Sequence, residues 1–284
     1  MRSMDVERLT PPKGFEHVMV FTTSVRSFEA VDVPLADPAE VATFATEKRK
    51  HEHLTGRWLL GQALHGWGLG DLTSIEVQRT SQRAPFLVRI QGAWRRTPLP
   101  CISIGHSAGR AFVAVSNPGH AVGIDAEPLE RTLASNAFDM MAKGEELEYL
   151  RGRSDKAMRL WTGKESVQKA MGLGMHLNPR EIKIPIESGL SNIPIGNSKI
   201  QLAYWSEKGY HISLAGTLAL PPKTTPEDRL LEETLGCDGG QPSLGELAAR
   251  RSAAEHDQFQ ILLLSQGRFR AIPISVKITK LNTK

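Results

Sequence analysis

The sequence predicts an α+β fold, on three observations. Short apolar runs bounded by turn residues recur along the chain, two long stretches carry a helical period, and those two stretches align on each other. Residues 18–25 (VMVFTTSV) read as a first strand. From about Asp37 to Trp67 the pattern is helical, with Pro38 early and Phe44, Leu54, Trp58, Leu59, Ala63 and Leu64 recurring near a 3.6 period. Strand-like runs follow at 73–79, 86–90, 99–105, 110–116 and 121–126, separated by turns such as Ser107-Ala108-Gly109 and Asn117-Pro118-Gly119. Helical patterns return at 144–151 and 154–172, the second opening on Ser154 as an N-cap. Strands at 181–186, 200–206 and 210–217 close the compact part, and Pro221-Pro222 breaks the pattern. Leu54-Thr55-Gly56-Arg57 through Leu64 lies on Trp161-Thr162-Gly163-Lys164 through Met171 without a gap, which predicts two similar halves, each a long helix packed on a small sheet.

Composition bounds what such a chain does. With 284 residues and 40 % apolar side chains it has ample material for a core, and disorder as a whole is excluded. Two isolated cysteines, Cys101 and Cys237, exclude a disulfide scaffold and read as thiols in a reducing compartment. No apolar stretch reaches the roughly 18–20 residues that span a bilayer, and the first residues carry no export signal, so the expectation is a soluble, cytoplasmic protein. The net charge of +4 is spread rather than gathered in a stripe, which argues against nucleic acid. The densest run, Glu47-Lys48-Arg49-Lys50-His51, is either a solvated helix face or a small cationic site for an anion such as phosphate.

Three segments carry chemistry. Val122-Gly123-Ile124-Asp125-Ala126-Glu127 is an apolar strand ending in two carboxylates; alternation puts Asp125 and Glu127 on one face, about 7 Å apart. Such a pair either runs out into solvent or is joined by a cation, and hard divalent ions such as Mg²⁺ take one or two carboxylates with phosphate oxygens and water. Trp161, Glu165 and Lys169, spaced by four, share one helical face, as a plain surface ion pair or as a half-buried pair that meets a metal–phosphate. In Ile104-Gly105-His106-Ser107-Ala108-Gly109 a strand ends in a histidine, a hydroxyl and a flexible turn, which serve structure or hold an anion.

In order and spacing these segments resemble the 4′-phosphopantetheinyl transferase superfamily, whose hallmark is G-[IV]-D-x-E followed by W-[ST]-x-K-E-[AS]-x-x-K. Gly123-Ile124-Asp125-Ala126-Glu127 and Trp161-Thr162-Gly163-Lys164-Glu165-Ser166-Val167-Gln168-Lys169 match it. Gly105-His106-Ser107 is similar to the family's S-H-S-like segment, Arg57-Trp58-Leu59-Leu60-Gly61 to the end of its basic helix, and Lys143-Gly144-Glu145 to its third acidic position. The likeness runs from about residue 40 to 217 and is nearest to the surfactin-synthetase-activating type, a monomer of two pseudo-symmetric, mainly antiparallel halves with the ligand cleft between them.

The resemblance implies transfer of 4′-phosphopantetheine from coenzyme A to a serine of an apo acyl or peptidyl carrier protein, with release of 3′,5′-ADP. Asp125, Glu127 and Glu165 are then expected to hold Mg²⁺. Glu165 would be the base, directly or through metal-bound water, with Asp125 and Lys169 completing the catalytic set. Arg57, Lys48, Arg49, Arg83, His106, Ser107 and Lys169 would bind coenzyme A. Glu145 is a further candidate for the metal shell. The halves are expected at 1–119 and 120–222, with an extension at 223–284 that matches nothing in the family. Phe138, Met140, Met141 and Lys143 are candidates for docking the carrier, with Phe138 and Met141 equally readable as core. Two departures stand out: Gln82-Arg83-Ala84-Pro85 replaces the family's G-K-P segment, so that either Arg83 takes the place of its lysine or coenzyme A binds more weakly, and Gly105 replaces a serine. A non-catalytic coenzyme A-binding regulator, or a metal-dependent phosphodiesterase using the same acids, are the competing readings.

Overall fold

Two four-stranded antiparallel sheets, each with a long helix on its outer face, organise the computed structural model, which describes residues 6–90, 98–185, 189–196 and 198–217. The expected extension at 223–284, including Cys237, lies outside the described residues. In chain order the elements are β1 (Glu7–Leu9), β2 (Val18–Ser24), α1 (Pro38–Ala42), α2 (Glu47–Trp67), β3 (Ile75–Arg79), β4 (Pro85–Arg89), β5 (Cys101–Ser107), β6 (Arg110–Ser116) and β7 (Val122–Pro128). They continue with α3 (Phe138–Met141), α4 (Glu145–Gly152), α5 (Ala157–Met171), β8 (Leu190–Ile195), β9 (Ser198–Glu207) and β10 (Tyr210–Gly216). The first sheet runs β1-β2-β6-β5, the second β7-β10-β9-β8, and β3-β4 is a separate hairpin. The mixed α and antiparallel β content agrees with the α+β expectation.

Alternation along the strands builds three cores. On β6, Ala111, Val113 and Val115 pack with Leu54, Leu59 and Leu64 of α2. The intervening Phe112 and Ala114 join Val18 and Val20 of β2, Val122, Ile124 and Ala126 of β7, and Ile212 and Leu214 of β10 in a core shared by both sheets. Leu160, Val167 and Ala170 of α5 pack with Ile200, Leu202 and Ala215 of the second sheet. Burying the larger of these side chains, the valines, leucines, isoleucines and Phe112, stabilises the fold by roughly 1.5–3 kcal/mol each.

The helix ends follow local chemistry. The Thr46 side chain accepts from the Arg49 amide, and Gly68, at φ 101°, stops α2. The stretch expected as one helix from Asp37 is therefore two. The Thr43 hydroxyl donates to the Glu40 carbonyl at the end of α1, and the chain restarts at Thr46. Ser154 opens a single 3₁₀ turn instead of capping α5, which begins at Ala157 with no side-chain cap. The strand expected at 181–186 is absent among the described residues of that stretch. Ile182 and Ile184 are buried against the α5 core without a sheet partner, and the pairing strand is β8. The short β1 and α3 carry too few residues to show a period.

Gly123 sets the distance between β7 and α5. A Cβ there would lie 2.0 Å from the Ser166 carbonyl oxygen and 2.4 Å from the Ala170 amide nitrogen, both backbone atoms that cannot step aside. Gly123→Ala is therefore expected to destabilise the protein by about 3 kcal/mol, read as a lowered urea midpoint with an unchanged slope.

Candidate functional site

Because α5 lies against β7 at Gly123, the acidic end of the strand meets the last turns of the helix. The Lys169 ammonium donates to Asp125 Oδ1 at 2.6 Å and to the Ile124 carbonyl at 3.1 Å, and lies 3.7 Å from Glu165 Oε2. Asp125 is 5 % exposed, and its second oxygen, Oδ2, is buried with no hydrogen-bond partner. Burial pushes its pKa up to about 7 against the pull of Lys169, and the negative charges of Glu165 and Glu127 add to the rise. Burial alone would lower the Lys169 pKa, but Asp125 and Glu165 outweigh it and hold it above the ordinary lysine value. One residue pair further along β7, Glu127 accepts from the Ser107 hydroxyl at 2.5 Å and from Arg131 at 2.6 Å.

The charges of Glu165 and Glu127 thus both reach Asp125. The three carboxylates do not form a closed ligand group. Among the described residues no three His, Cys, Asp or Glu side chains are arranged to hold a metal ion. The Lys169 ammonium stands between Asp125 and Glu165, and Ser107 and Arg131 engage Glu127. The donor chemistry nonetheless suits Mg²⁺, which needs only one or two carboxylates when phosphate oxygens complete its shell, and Asp125 Oδ2 is a hard oxygen donor, buried and without a hydrogen-bond partner.

Beside this acidic end lies a cavity of about 260 Å³, walled by α2, the β3–β4 turn, β5 and the end of α5. Arg49, Arg57, Arg79, Arg83 and Lys169 line it together with His53, His106, Ser103 and Gln168, and the described lining contains no carboxylate. Five cations converging on so small a space call for a multiply charged anion. Arg57 is 3 % exposed and its Nη1 is buried without a hydrogen-bond partner. Burial, with the charge of Arg79, brings its pKa down to about 10, a shift that Glu40 partly offsets. His106 fits because residue 56 is glycine; a Cβ there would lie 2.6 Å from His106 Nε2. Burial, then the charges of Lys169 and Arg49, push the His106 pKa down to about 4, so it is neutral at pH 7. His53 is held at about 4 for the same first reason, with Arg57 next.

The turn that carries Arg83 is closed by the Arg83 amide donating to the Thr80 carbonyl and the Thr80 amide to the Ala84 carbonyl. Arg83 pays for that closure with a left-handed backbone, φ 67°.

Of the expected ligand-binding residues, Arg49, Arg57, Arg83, His106 and Lys169 meet at the cavity. Lys48 does not: its side chain is 85 % exposed and pairs with Glu52, because the helical period turns it away from α2's inner face. Ser107 is also absent from the lining, since the next residue of a strand points to the other face and its hydroxyl goes to Glu127. Glu145 is exposed; its neighbour Glu146 turns inward to the fully buried Lys164, whose ammonium also donates to the Met141 and Pro179 carbonyls. Lys164 therefore pins the 141–146 and 179 segments to α5. Phe138 and Met141, at 1 % and 0 % exposure, belong to the core and are not docking residues, whereas Met140 is 65 % exposed and Lys143 pairs with Glu181. Arg79, His53, Ser103 and Gln168 were not anticipated. Arg49, His53 and Arg57 recur every four residues, so one helical face predicts His53 between the two arginines. Arg79 has no comparable local signal.

The stretch from residue 121 to 215 matches the family model of the 4′-phosphopantetheinyl transferase superfamily. It covers β7 through β10, with the Asp125–Glu127 strand and the Glu165–Lys169 helix. No curated protein matches the chain significantly. No helix among the described residues is long and apolar enough to cross a membrane.

Desolvation of the two cavity histidines makes stability depend on pH. His106 has a folded pKa near 4 against an ordinary 6.5, so its contribution is complete above pH 6.5 and is lost as pH falls toward 4. Asp125, raised to about 7, acts in the opposite sense: stability falls as pH rises from its ordinary 3.8 to 7. Comparing the wild type with His106→Gln cancels the Asp125 effect. The stability difference between the two is expected to shift by roughly 3 kcal/mol in the variant's favour between pH 7.5 and pH 4, measured by urea unfolding.

Proposed function

We propose that this protein transfers the 4′-phosphopantetheine group of coenzyme A to a serine of an apo acyl or peptidyl carrier protein. The superfamily match over 121–215 supports phosphopantetheine transfer in general. The observation that carries the specific reading is the junction at Lys169, which belongs both to the acidic end of β7 and to the wall of a cavity lined by four arginines. A diphosphate with a further phosphate is the ligand that such a pair of adjoining sites suits, the arginines holding phosphate oxygens and Lys169 reaching the bridge.

In this reading Asp125, Glu127 and Glu165 would hold Mg²⁺. When bound there, the ion neutralises charge on the attacked and departing phosphates. The chain's own residues supply the rest. Arg49, Arg57, Arg79 and Arg83 fix the nucleotide end of coenzyme A, with neutral His106 beside them. Lys169, leaving Asp125, pairs with pyrophosphate oxygens. The carrier serine hydroxyl attacks the phosphorus that bears the pantetheine arm, its proton passes to Glu165, and the bond to the second phosphate breaks to release 3′,5′-ADP. Glu165 is suited to this, since its side chain is 30 % exposed and lies 3.7 Å from the Lys169 ammonium.

The reading extends to a cytoplasmic monomer of two pseudo-symmetric halves, 1–119 and 120–222, followed by the extension at 223–284. What supports the symmetry is the order β2-β6-β5 against β7-β10-β9, with α2 and α5 in corresponding places. Gly56 and Gly163, matched in the aligned helices, each make room for a side chain of the adjoining sheet, His106 on β5 and Tyr204 on β9.

Intact-mass analysis of a panel of apo carrier proteins, incubated with the protein, Mg²⁺ and coenzyme A, tests the proposal. A gain of one phosphopantetheine mass is expected, abolished by EDTA and slowed by about 100-fold or more in Glu165→Gln. Coenzyme A binding without mass gain on any carrier would establish the non-catalytic alternative instead.

A further inference from the structure

Behind Arg57 and Arg79, and not on the cavity lining, stands the carboxylate of Glu40, shared by both guanidiniums. Glu40 on α1 places Oε1 2.5 Å from Arg79 Nη2 and Oε2 3.6 Å from Arg57 Nη2, with His53 Nε2 at 3.8 Å. It thereby joins three separate parts of the chain: the short helix α1, the inner face of α2 and the end of β3. Glu40 has no place in the motifs of the sequence, where it falls inside what reads as one continuous helix.

Its geometry has a definite consequence for the two guanidiniums. Each turns one edge to the carboxylate, and Arg57 keeps its other amino nitrogen, Nη1, buried and without a hydrogen-bond partner. Two guanidiniums this close repel, as the downward pull of Arg79 on Arg57 shows. Arg79 has the freedom to escape, since a third of its side chain is exposed. A carboxylate shared between them removes the reason to separate and fixes the planar forks in one orientation, with Arg57 Nη1 left for an oxyanion and Arg79 Nη1 steadied at 3.5 Å by the Arg83 carbonyl.

We propose that Glu40 is a positioning residue that pre-organises Arg57 and Arg79 to bind the phosphates of coenzyme A. The inference rests on the coenzyme A reading given above. It also makes a prediction of opposite sign to simple electrostatics. Removing a negative charge from beside an anion site strengthens anion binding if charge alone matters. Removing it weakens binding if the carboxylate's work is to hold the cations in place.

Calorimetric titration with 3′,5′-ADP and with coenzyme A, on the full chain, separates the two. The wild type, Glu40→Gln, Glu40→Asp, Arg79→Ala and the double variant Glu40→Gln/Arg79→Ala are compared, with thermal melts confirming that each is folded. Glu40→Gln is expected to raise Kd for both ligands by about tenfold, and Glu40→Asp by less. In the Arg79→Ala background the effect of Glu40→Gln shrinks, a coupling in ligand affinity that a merely structural contact would not produce. Unchanged or tighter binding by folded Glu40→Gln overturns the proposal, as does full additivity with Arg79→Ala. Failure of the wild type itself to bind either ligand overturns the coenzyme A reading, and this inference with it, and is recognised before any variant is examined.

Discussion

The close contact of β7 and α5 at Gly123 is the constraint on which the site depends. A strand and a helix each carry one half of the proposed site, the carboxylates Asp125 and Glu127 on one and Glu165 with Lys169 on the other. Asp125 and Glu127 follow Gly123 on the strand face that meets the helix, while Glu165 and Lys169 sit on the turns that flank Ser166 and Ala170. With no side chain at residue 123 the two backbones touch, and a lysine on one reaches a carboxylate on the other at 2.6 Å. An added methyl would part them and leave a buried carboxylate without its counter-ion, which costs more than the lost packing.

The same economy of space appears wherever a long helix meets its sheet. Gly163 admits the Tyr204 side chain, whose ring also takes the Arg159 guanidinium at 4.6 Å. Gly56 admits His106. The helices therefore sit closer to the sheets at these points than their larger side chains would allow. The polar groups brought in by that approach are shielded: Arg57, Asp125 and Lys164 are all nearly or fully inaccessible. Buried charge of this kind is tolerated only in pairs, and the pairings here are specific: Lys164 with Glu146, Lys169 with Asp125, Arg57 with Glu40.

Much of this was legible in the sequence, and the failures have physical causes. The two motifs around Asp125 and Glu165 could be read because each lies within a few residues of chain, where strand and helix periods fix which side chains share a face. Arg49, Arg57 and His106 were reached through the resemblance to the family's basic helix and S-H-S-like segment. Arg79 and Glu40 were not, since their relation to the cavity arises from tertiary packing between α1, α2 and the β3–β4 hairpin. The expected strand at 181–186 failed because alternating isoleucines at 182 and 184 look identical whether they pair in a sheet or simply line a core. Ser107 and Lys48 failed by one residue of register each, a step that reverses the face of a strand and rotates a helix position by about 100°.

The core shared by the two sheets sets a limit on how this protein can be divided. Val18, Val20, Phe112 and Ala114 come from one sheet, and Val122, Ile124, Ala126, Ile212 and Leu214 from the other. Among the described residues these side chains are buried against one another across the two layers. The stretch 121–215, taken by itself, would present a bare apolar sheet to water and seek a second copy of itself to cover it. The intact chain carries that second layer as its own N-terminal sheet, so local concentration supplies what an excised fragment would have to obtain by association. The sequence between β6 and β7 is thus a tether that turns an intermolecular interface into an intramolecular one.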